Sequence, residues 1–270
     1  MATRFSEAAV NGTRLRYQLG GDGPPLVLLH GFALDLRMWD HQVAAFAPHY
    51  QVLRYDLRGF GGSALPGSSP YDHADDLRAL LDYLGIGTAA LVGLSMGGEV
   101  ALDFAVTYPE RLRALVLADA MIGGYRWSAE WQATTAPIWH AAREQGVTPA
   151  KARWLAHPGL FGAAREQQAV AATLTQMIDD YSGWHWRNRD PHRKPSRPAI
   201  EQLAQIATPT LIITGEREAP DFVAQANLLG EQIPGAQSCI LPAAGHLTAL
   251  EAPDAFNRAV LDFLDTTLPR

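Results

Sequence analysis

Two short segments hold residue types that together could run nucleophilic catalysis, and a third could serve them. The first is Gly93-Leu94-Ser95-Met96-Gly97-Gly98. The pattern Gly-x-Ser-x-Gly is weak alone, because a chain with 24 glycines in 270 residues can meet it by chance. Its setting strengthens it: an apolar run at 89–93 (AALVG) precedes it and a helical pattern follows. A serine at a sharp strand-to-helix turn projects its hydroxyl off the sheet edge, and small neighbours let the chain turn that tightly. The helix start behind it favours a developing anion. The bland alternative is a glycine-rich turn in which Ser95 caps the helix.

Serine at its free pKa is a poor nucleophile and needs an adjacent base that titrates near neutrality. His246, in Ala244-Gly245-His246, follows an apolar run at 237–241 (QSCIL), at the sheet edge where the Ser95 turn is expected. The third segment, His30-Gly31-Phe32-Ala33, follows the run at 26–29 (LVLL). Glycine there lets the chain pass over the sheet edge and present the Phe32 N–H. With the Met96 N–H it makes two donors facing one oxygen, an oxyanion hole worth roughly 10²–10³ in rate per donor. The His30 side chain reads as a buried brace for this loop. Histidines 41, 49, 73, 140, 157, 185 and 192 read as surface or packing residues, with His140 and His185 kept as possible pocket residues.

These segments need elements to hold them. Runs at 26–29, 51–55, 89–93, 112–118, 209–214 and 237–241 read as strands, mostly as near-continuous aliphatic stretches. Strands buried on both faces look like that, which implies a parallel sheet covered by helices. Helical patterns fall between them at 38–47, 72–84, 96–108, 221–231 and 252–267. Residues 5–10 and 15–19 flank Asn11-Gly12, a strong hairpin signal, so the sheet is expected to begin antiparallel. The alternation defines an α/β chain.

The alternation breaks across residues 121–206, which hold six of the seven tryptophans and no convincing strand. Helical patterns there cover 130–145, 149–156 and 165–181. The tryptophans either fill a small core of their own or form a lid over the C-terminal sheet edge, where open α/β sheets bind ligands. The expected division is a core of 1–120 and 207–270 with a helical cap at 121–206. Trp127, Trp131, Trp139, His140 and Trp184 are candidate pocket residues, suited to an apolar or aromatic substrate part. The basic stretch 187–197 (RNRDPHRKPSR) reads as a solvated connection, with contact to an anionic substrate group as the lesser alternative.

Composition narrows the function. Hydrophobic residues make up 47% and charged residues 19%, as in a globular chain with a sizeable core. The formal charge of −6 argues against nucleic-acid binding through a basic face. One cysteine, Cys239, excludes a disulfide framework and any multi-cysteine metal site, and its place in a strand reads as a small buried hydrophobe. No secretory signal is visible in MATRFSEAAVNGTRLRYQ, and no apolar run approaches a membrane span, so a cytoplasmic setting is expected. With lysines only at 151 and 194 there is no phosphate-binding Gly-Lys-Ser/Thr loop, and no metal or organic cofactor is expected.

HGF at 30–32, YDLRGFGGS at 55–63, GLSMGG at 93–98, TPTLIITGE at 208–216 and AGH at 244–246 occur in that order. Together they resemble the α/β-hydrolase superfamily over nearly the whole chain, close to small bacterial esterases, lactonases, perhydrolases and carbon–carbon bond hydrolases. The resemblance implies a mostly parallel twisted sheet flanked by helices, with a helical cap after the sixth strand. It also implies a catalytic order of nucleophile, acid and histidine. The acid departs from the family pattern. The slot that usually holds aspartate, two residues past the Glu of TGE, holds Glu218 here. Asp119, Asp221 and Glu216 compete for the role. Asp56 and Arg58 resemble the family's structural loop. Asp35, Arg37 and Trp39 either line the pocket mouth or brace the loop-to-helix passage. The expected activity is hydrolysis of a small ester or lactone by Ser95, His246 and Glu218 with the N–H groups of Phe32 and Met96. Carbon–carbon cleavage or peracid formation on the same groups is the alternative, and a non-catalytic binding protein is a third.

Overall fold

A computed structural model describes residues 5–268; the first four residues of the N-terminal reading lie outside them. Eight strands form one sheet among these residues. They are β1 (Ser6–Val10), β2 (Thr13–Gly20), β3 (Pro25–Leu29), β4 (Gln51–Tyr55), β5 (Ala89–Leu94), β6 (Leu112–Ala118), β7 (Thr210–Gly215) and β8 (Gln237–Leu241). The spatial order is β1-β2-β4-β3-β5-β6-β7-β8. Asn11 and Gly12 both take positive φ, 46° and 69°, and pair Val10 with Thr13 across a two-residue turn. β2 is antiparallel to both β1 and β4, and every later pairing is parallel.

The aliphatic runs explain the central strands: all six residues of β5 and of β7 are buried. β8 differs. It is the sheet edge, four of its five residues reach solvent, and Cys239 is half-buried rather than a core hydrophobe. A run of apolar residues does not reveal which strand lies outermost.

The helices of the core are α1 (Asp40–Phe46), α2 (His73–Tyr83) and α3 (Met96–Thr107). Asp72 caps α2 by accepting from the Ala74 N–H at 2.7 Å. Leu77, Leu80 and Leu81 face the core as their spacing implies. Asp76 is buried beside them because it takes two bonds from the Arg58 guanidinium, at 2.8 and 2.6 Å, and one from Asn11. Asp56 is likewise buried and accepts the N–H groups of Leu36 and Gly62. Asp35 caps a 3₁₀ turn and pairs with Arg37, while Trp39 is fully buried. That passage is a brace and not the rim of a pocket.

Between β6 and β7 lie α4 (Ala129–Glu144), α5 (Val147–Leu155), α6 (Pro158–Glu166), α7 (Gln168–Asp180) and α8 (Trp184–Arg187), with no strand among the described residues. The helical pattern expected at 165–181 is α7 with the last two residues of α6, and Gln167 separates the two helices. That residue is extended (φ −105°, ψ 106°) and its side chain donates to the Glu251 carbonyl. A tertiary bond makes the break, and no Pro or Gly announces it. α9 (Pro220–Gln232), α10 (Thr248–Glu251) and α11 (Pro253–Thr267) complete the chain. No helix among the described residues is long and apolar enough to cross a membrane.

His157 caps α6, its Nδ1 accepting from the Leu160 N–H at 3.2 Å. Burial, then the nearby His246 and Arg165, push its imidazole down to about 4 from 6.5. The unfolded chain therefore binds this proton more tightly. The stabilisation is complete above about pH 6.5 and is lost as pH falls towards about 4. Asparagine keeps a capping oxygen without titrating. The fall in Tm between about pH 7 and about pH 4.5 is therefore expected to be smaller in His157→Asn than in the unmutated protein. An equal or larger fall contradicts this role.

Candidate active site

Ser95 stands between β5 and α3 with φ 56° and ψ −115°, a conformation rare for a residue with a Cβ. Its side chain makes no cap bond, so the helix-cap alternative finds no support. The turn is held by crowding. A Cβ on Gly93 would stand 2.3 Å from the Gly97 carbonyl oxygen, and one on Gly97 2.1 Å from that of Leu29. The Ser95 N–H donates to the Ala118 carbonyl at 3.0 Å, and its own carbonyl accepts from Gly98, Glu99 and Met121. Neighbouring strand and helix thus fix the serine before any ligand arrives.

His246 follows β8 and is 3% exposed. Its Nδ1 lies 2.6 Å from Glu218 Oε2, and the other Glu218 oxygen accepts from the Ala219 N–H at 2.6 Å. One proton lies between Nδ1 and Oε2, which leaves Nε2 free to accept. Burial lowers the imidazole to about 4 and raises Glu218 to about 8. Asp119, the competing acid, adjoins this pair but has donors of its own: it accepts from the Gly215 N–H at 3.0 Å and the Thr248 hydroxyl at 2.6 Å. Burial first, then Glu218, lifts its carboxyl well above the usual range. Asp221 accepts both the N–H and the hydroxyl of Ser128, tying the start of α4 to α9. Glu216 accepts from Ala243. Glu251, which sequence reasoning missed, accepts the N–H groups of Gly245 and Leu247 on either side of His246. A carboxylate five residues after the histidine was the available signal.

The loop after β3 carries Phe32. Among the described residues its N–H has no hydrogen-bond acceptor, and Met96 opens α3, where the first N–H lacks an intrahelical partner. His30 is fully buried: Nδ1 lies 2.8 Å from the Gly31 carbonyl and Nε2 accepts from the Leu57 N–H at 3.0 Å. That is a neutral tautomer bracing the loop, and burial keeps its pKa low. The Phe32 ring is surrounded by six others, those of Phe60, Trp139, Trp154, Tyr181, His185 and Trp186, at 5.5–6.1 Å between centroids.

Ser95, Met96, Phe32 and His246 line one cavity of about 370 Å³. Trp127, Trp131 and Trp139 line it too, so these three tryptophans reach the sheet edge rather than only a core of their own. His140 and Trp184 do not. His140 is on the exposed face of α4, one residue round from Trp139. Trp184 packs edge-on against His185. Trp154, Leu160, Phe161 and Phe222 complete the apolar wall and were not singled out in sequence, because nothing local distinguishes a cavity face from a core face. Among the described residues no cluster of three or more His, Cys, Asp or Glu is placed to hold a metal ion.

Residues 24–253 match the family model described as alpha/beta hydrolase fold. 3-Oxoadipate enol-lactonase 2 of Acinetobacter baylyi is 33% identical over 250 residues, covering 88% of each chain. Carboxylesterase YbfK of Bacillus subtilis (strain 168) is 29% identical over 268 residues, covering 90% of this chain and 81% of that one. The crystal structure of the enol-lactonase from Burkholderia xenovorans LB400 superposes with a TM-score of 0.78 at 29% identity, covering 96% of this chain and 99% of that one.

The strain at Ser95 is testable apart from activity. Glycine adopts the observed angles freely, whereas alanine does not. Relief of roughly 1–3 kcal/mol of strain, less the unfolded-state entropy of glycine, should leave Ser95→Gly about 1 kcal/mol more stable than Ser95→Ala. Denaturant unfolding of the two variants measures this, and a more stable alanine variant refutes it.

Proposed function

The chain belongs to the alpha/beta hydrolase fold family, and on that premise we propose that it is a serine hydrolase of small carboxylic esters or lactones, acting through an acyl-enzyme. One arrangement carries this reading. A strained serine and a buried histidine open on the same cavity, and a carboxylate grips the histidine through Nδ1.

Ser95 Oγ attacks the carbonyl carbon while His246 Nε2 takes its proton. The tetrahedral oxyanion is held by the N–H groups of Phe32 and Met96. Collapse breaks the acyl–oxygen bond, and His246 returns the proton to the leaving alkoxide, giving alcohol and acyl-Ser95. Water then attacks with His246 again as base, and the acid leaves. Glu218 fixes the tautomer and stabilises the imidazolium that forms in each half-reaction. Every proton taken by His246 is given back, so the cycle needs no cofactor. Residues 1–120 and 207–270 are the catalytic core in this reading, and 121–206 is a cap whose tryptophans exclude water and receive the apolar part of the substrate. Relatives named for lactone and carboxylic ester hydrolysis support acyl–oxygen cleavage over carbon–carbon cleavage.

Ser95→Ala is expected to lose both the p-nitrophenolate burst from a p-nitrophenyl ester and labelling by a fluorophosphonate. A burst retained in the variant refutes the nucleophile. The acid is assigned by a pair of variants. Glu218→Gln is expected to lower kcat by about 10³–10⁴, the scale seen when a triad acid becomes an amide. Asp119→Asn can still accept from Gly215 and donate to Thr248, so its loss is expected to stay within about tenfold. The reverse order would make Asp119 the acid.

A further inference from the structure

A second chamber of about 240 Å³ shares Phe32, Met96, Glu99, Trp139, Asp190 and Lys194 with the cavity at Ser95, and neither Ser95 nor His246 lines it. Phe32, Phe60 and Trp139 supply aromatic wall. α3 supplies the rest of one side, with Met96, Glu99 and Asp103 at helical spacing on a single face. Glu99 Oε1 and Asp103 Oδ1 converge, since a Cβ on Gly123 would stand 3.4 and 3.5 Å from them. Asp103 is 6% exposed, and its Oδ1 has no hydrogen-bond partner. His73, on α2, is equally buried, lines the same chamber, and has an unpartnered Nδ1.

Buried polar atoms left unpaired are costly in a folded protein and call for an occupant. The charge of the chamber says which kind. His73 and His185 are held neutral by burial, the latter at about 4. Burial, then the neighbouring Glu99 and Asp72, lift the Asp103 carboxyl to about 8 against the opposing pull of Lys194, so a cation bound beside it would favour its charged form. Among the described residues neither Glu99 nor Asp103 has an ion-pair partner. Lys194 also lines the chamber but is exposed to solvent, and Asp190 accepts from the Tyr71 hydroxyl. Carboxylates facing aromatic rings suit an ammonium, which gains from both.

We propose that this second chamber is a subsite for a protonated amine on the substrate, bound by Glu99 and Asp103 against the rings of Phe32, Phe60 and Trp139. The inference rests on the ester-hydrolase reading above and names its substrate class, an ester or lactone with an amino group on the acyl part. The acyl side follows from chemistry. The leaving oxygen must lie beside His246 to take its proton, and the chamber shares Met96 and Phe32 with the Ser95 cavity but not His246. Glu99 and Asp103 lie four and eight residues beyond Ser95, about 6 and 12 Å along the helix. An extended chain of a few methylenes between carbonyl and amine covers the nearer of these distances and brings the amine beside Glu99.

The test compares p-nitrophenyl 6-aminohexanoate with the near-isosteric heptanoate ester and with the adipate half-ester, which ends in a carboxylate. The aminohexanoate is expected to have the highest kcat/KM, at least about tenfold above the heptanoate. The double variant Glu99→Gln/Asp103→Asn is expected to bring those two rates together. On the unmutated protein, hexylammonium is expected to compete with the heptanoate ester at least about tenfold more tightly than 1-hexanol. Heptanoate hydrolysis with no preference for the amine, and equal inhibition by the two hexyl compounds, overturns the subsite alone. A preference for the adipate half-ester that Lys194→Met removes overturns it in favour of an anion site. Failure to hydrolyse any of the esters, with Ser95 unlabelled by fluorophosphonate, overturns the hydrolase reading beneath it.

Discussion

The first turn of α3 is pressed against the ends of β3 and β5, and the rest of the site follows from that contact. Cβ atoms on Gly93 or Gly97 would overlap carbonyl groups at little more than 2 Å, and one on Gly98 would meet Ala120 at 2.4 Å. With no side chains there, the helix begins one residue after the strand ends, and Ser95 alone absorbs the change of direction. Its positive φ is the result. The packing that crowds the helix against β3 also brings the Phe32 loop beside the helix N-terminus, so the proposed nucleophile and oxyanion donors are set by a single contact.

On the other side of the cavity a set of buried carboxyl groups does the positioning. Glu218 holds the His246 ring, Glu251 holds the backbone on both sides of it, and Asp119 joins the end of β6 to β7 and α10. Each has hydrogen-bond partners, which is the condition for burying such groups at acceptable cost. Asp103 departs from that rule, which sets the second chamber apart from the site's scaffold.

Phe32 connects the sheet to the helical segment between β6 and β7. Its backbone belongs to the loop after β3, but its ring is enclosed by rings from the insertion: Trp139, Trp154, Tyr181, His185 and Trp186. A shift of the insertion would therefore be felt at the Phe32 N–H. In the proposed mechanism this couples closure over the substrate to the geometry of the oxyanion hole.

The sequence by itself determined the α/β alternation, the Asn11-Gly12 hairpin, the serine turn and the order of the site segments. These are local signals: aliphatic runs, glycines where no Cβ fits, and caps such as Asp72. It put Glu218 first for His246 only through the family's slot and left three competing carboxylates, because the choice depends on which oxygen lies 2.6 Å from Nδ1. It could not show that β8 is an edge, that Gln167 separates two helices, or that Trp139 faces the cavity while His140 faces solvent. Those facts arise between segments distant along the chain, where packing decides what each side chain meets. Tertiary structure alone joined Glu99, Asp103 and His73 around one chamber, since α2 and α3 carry no local mark of a shared wall.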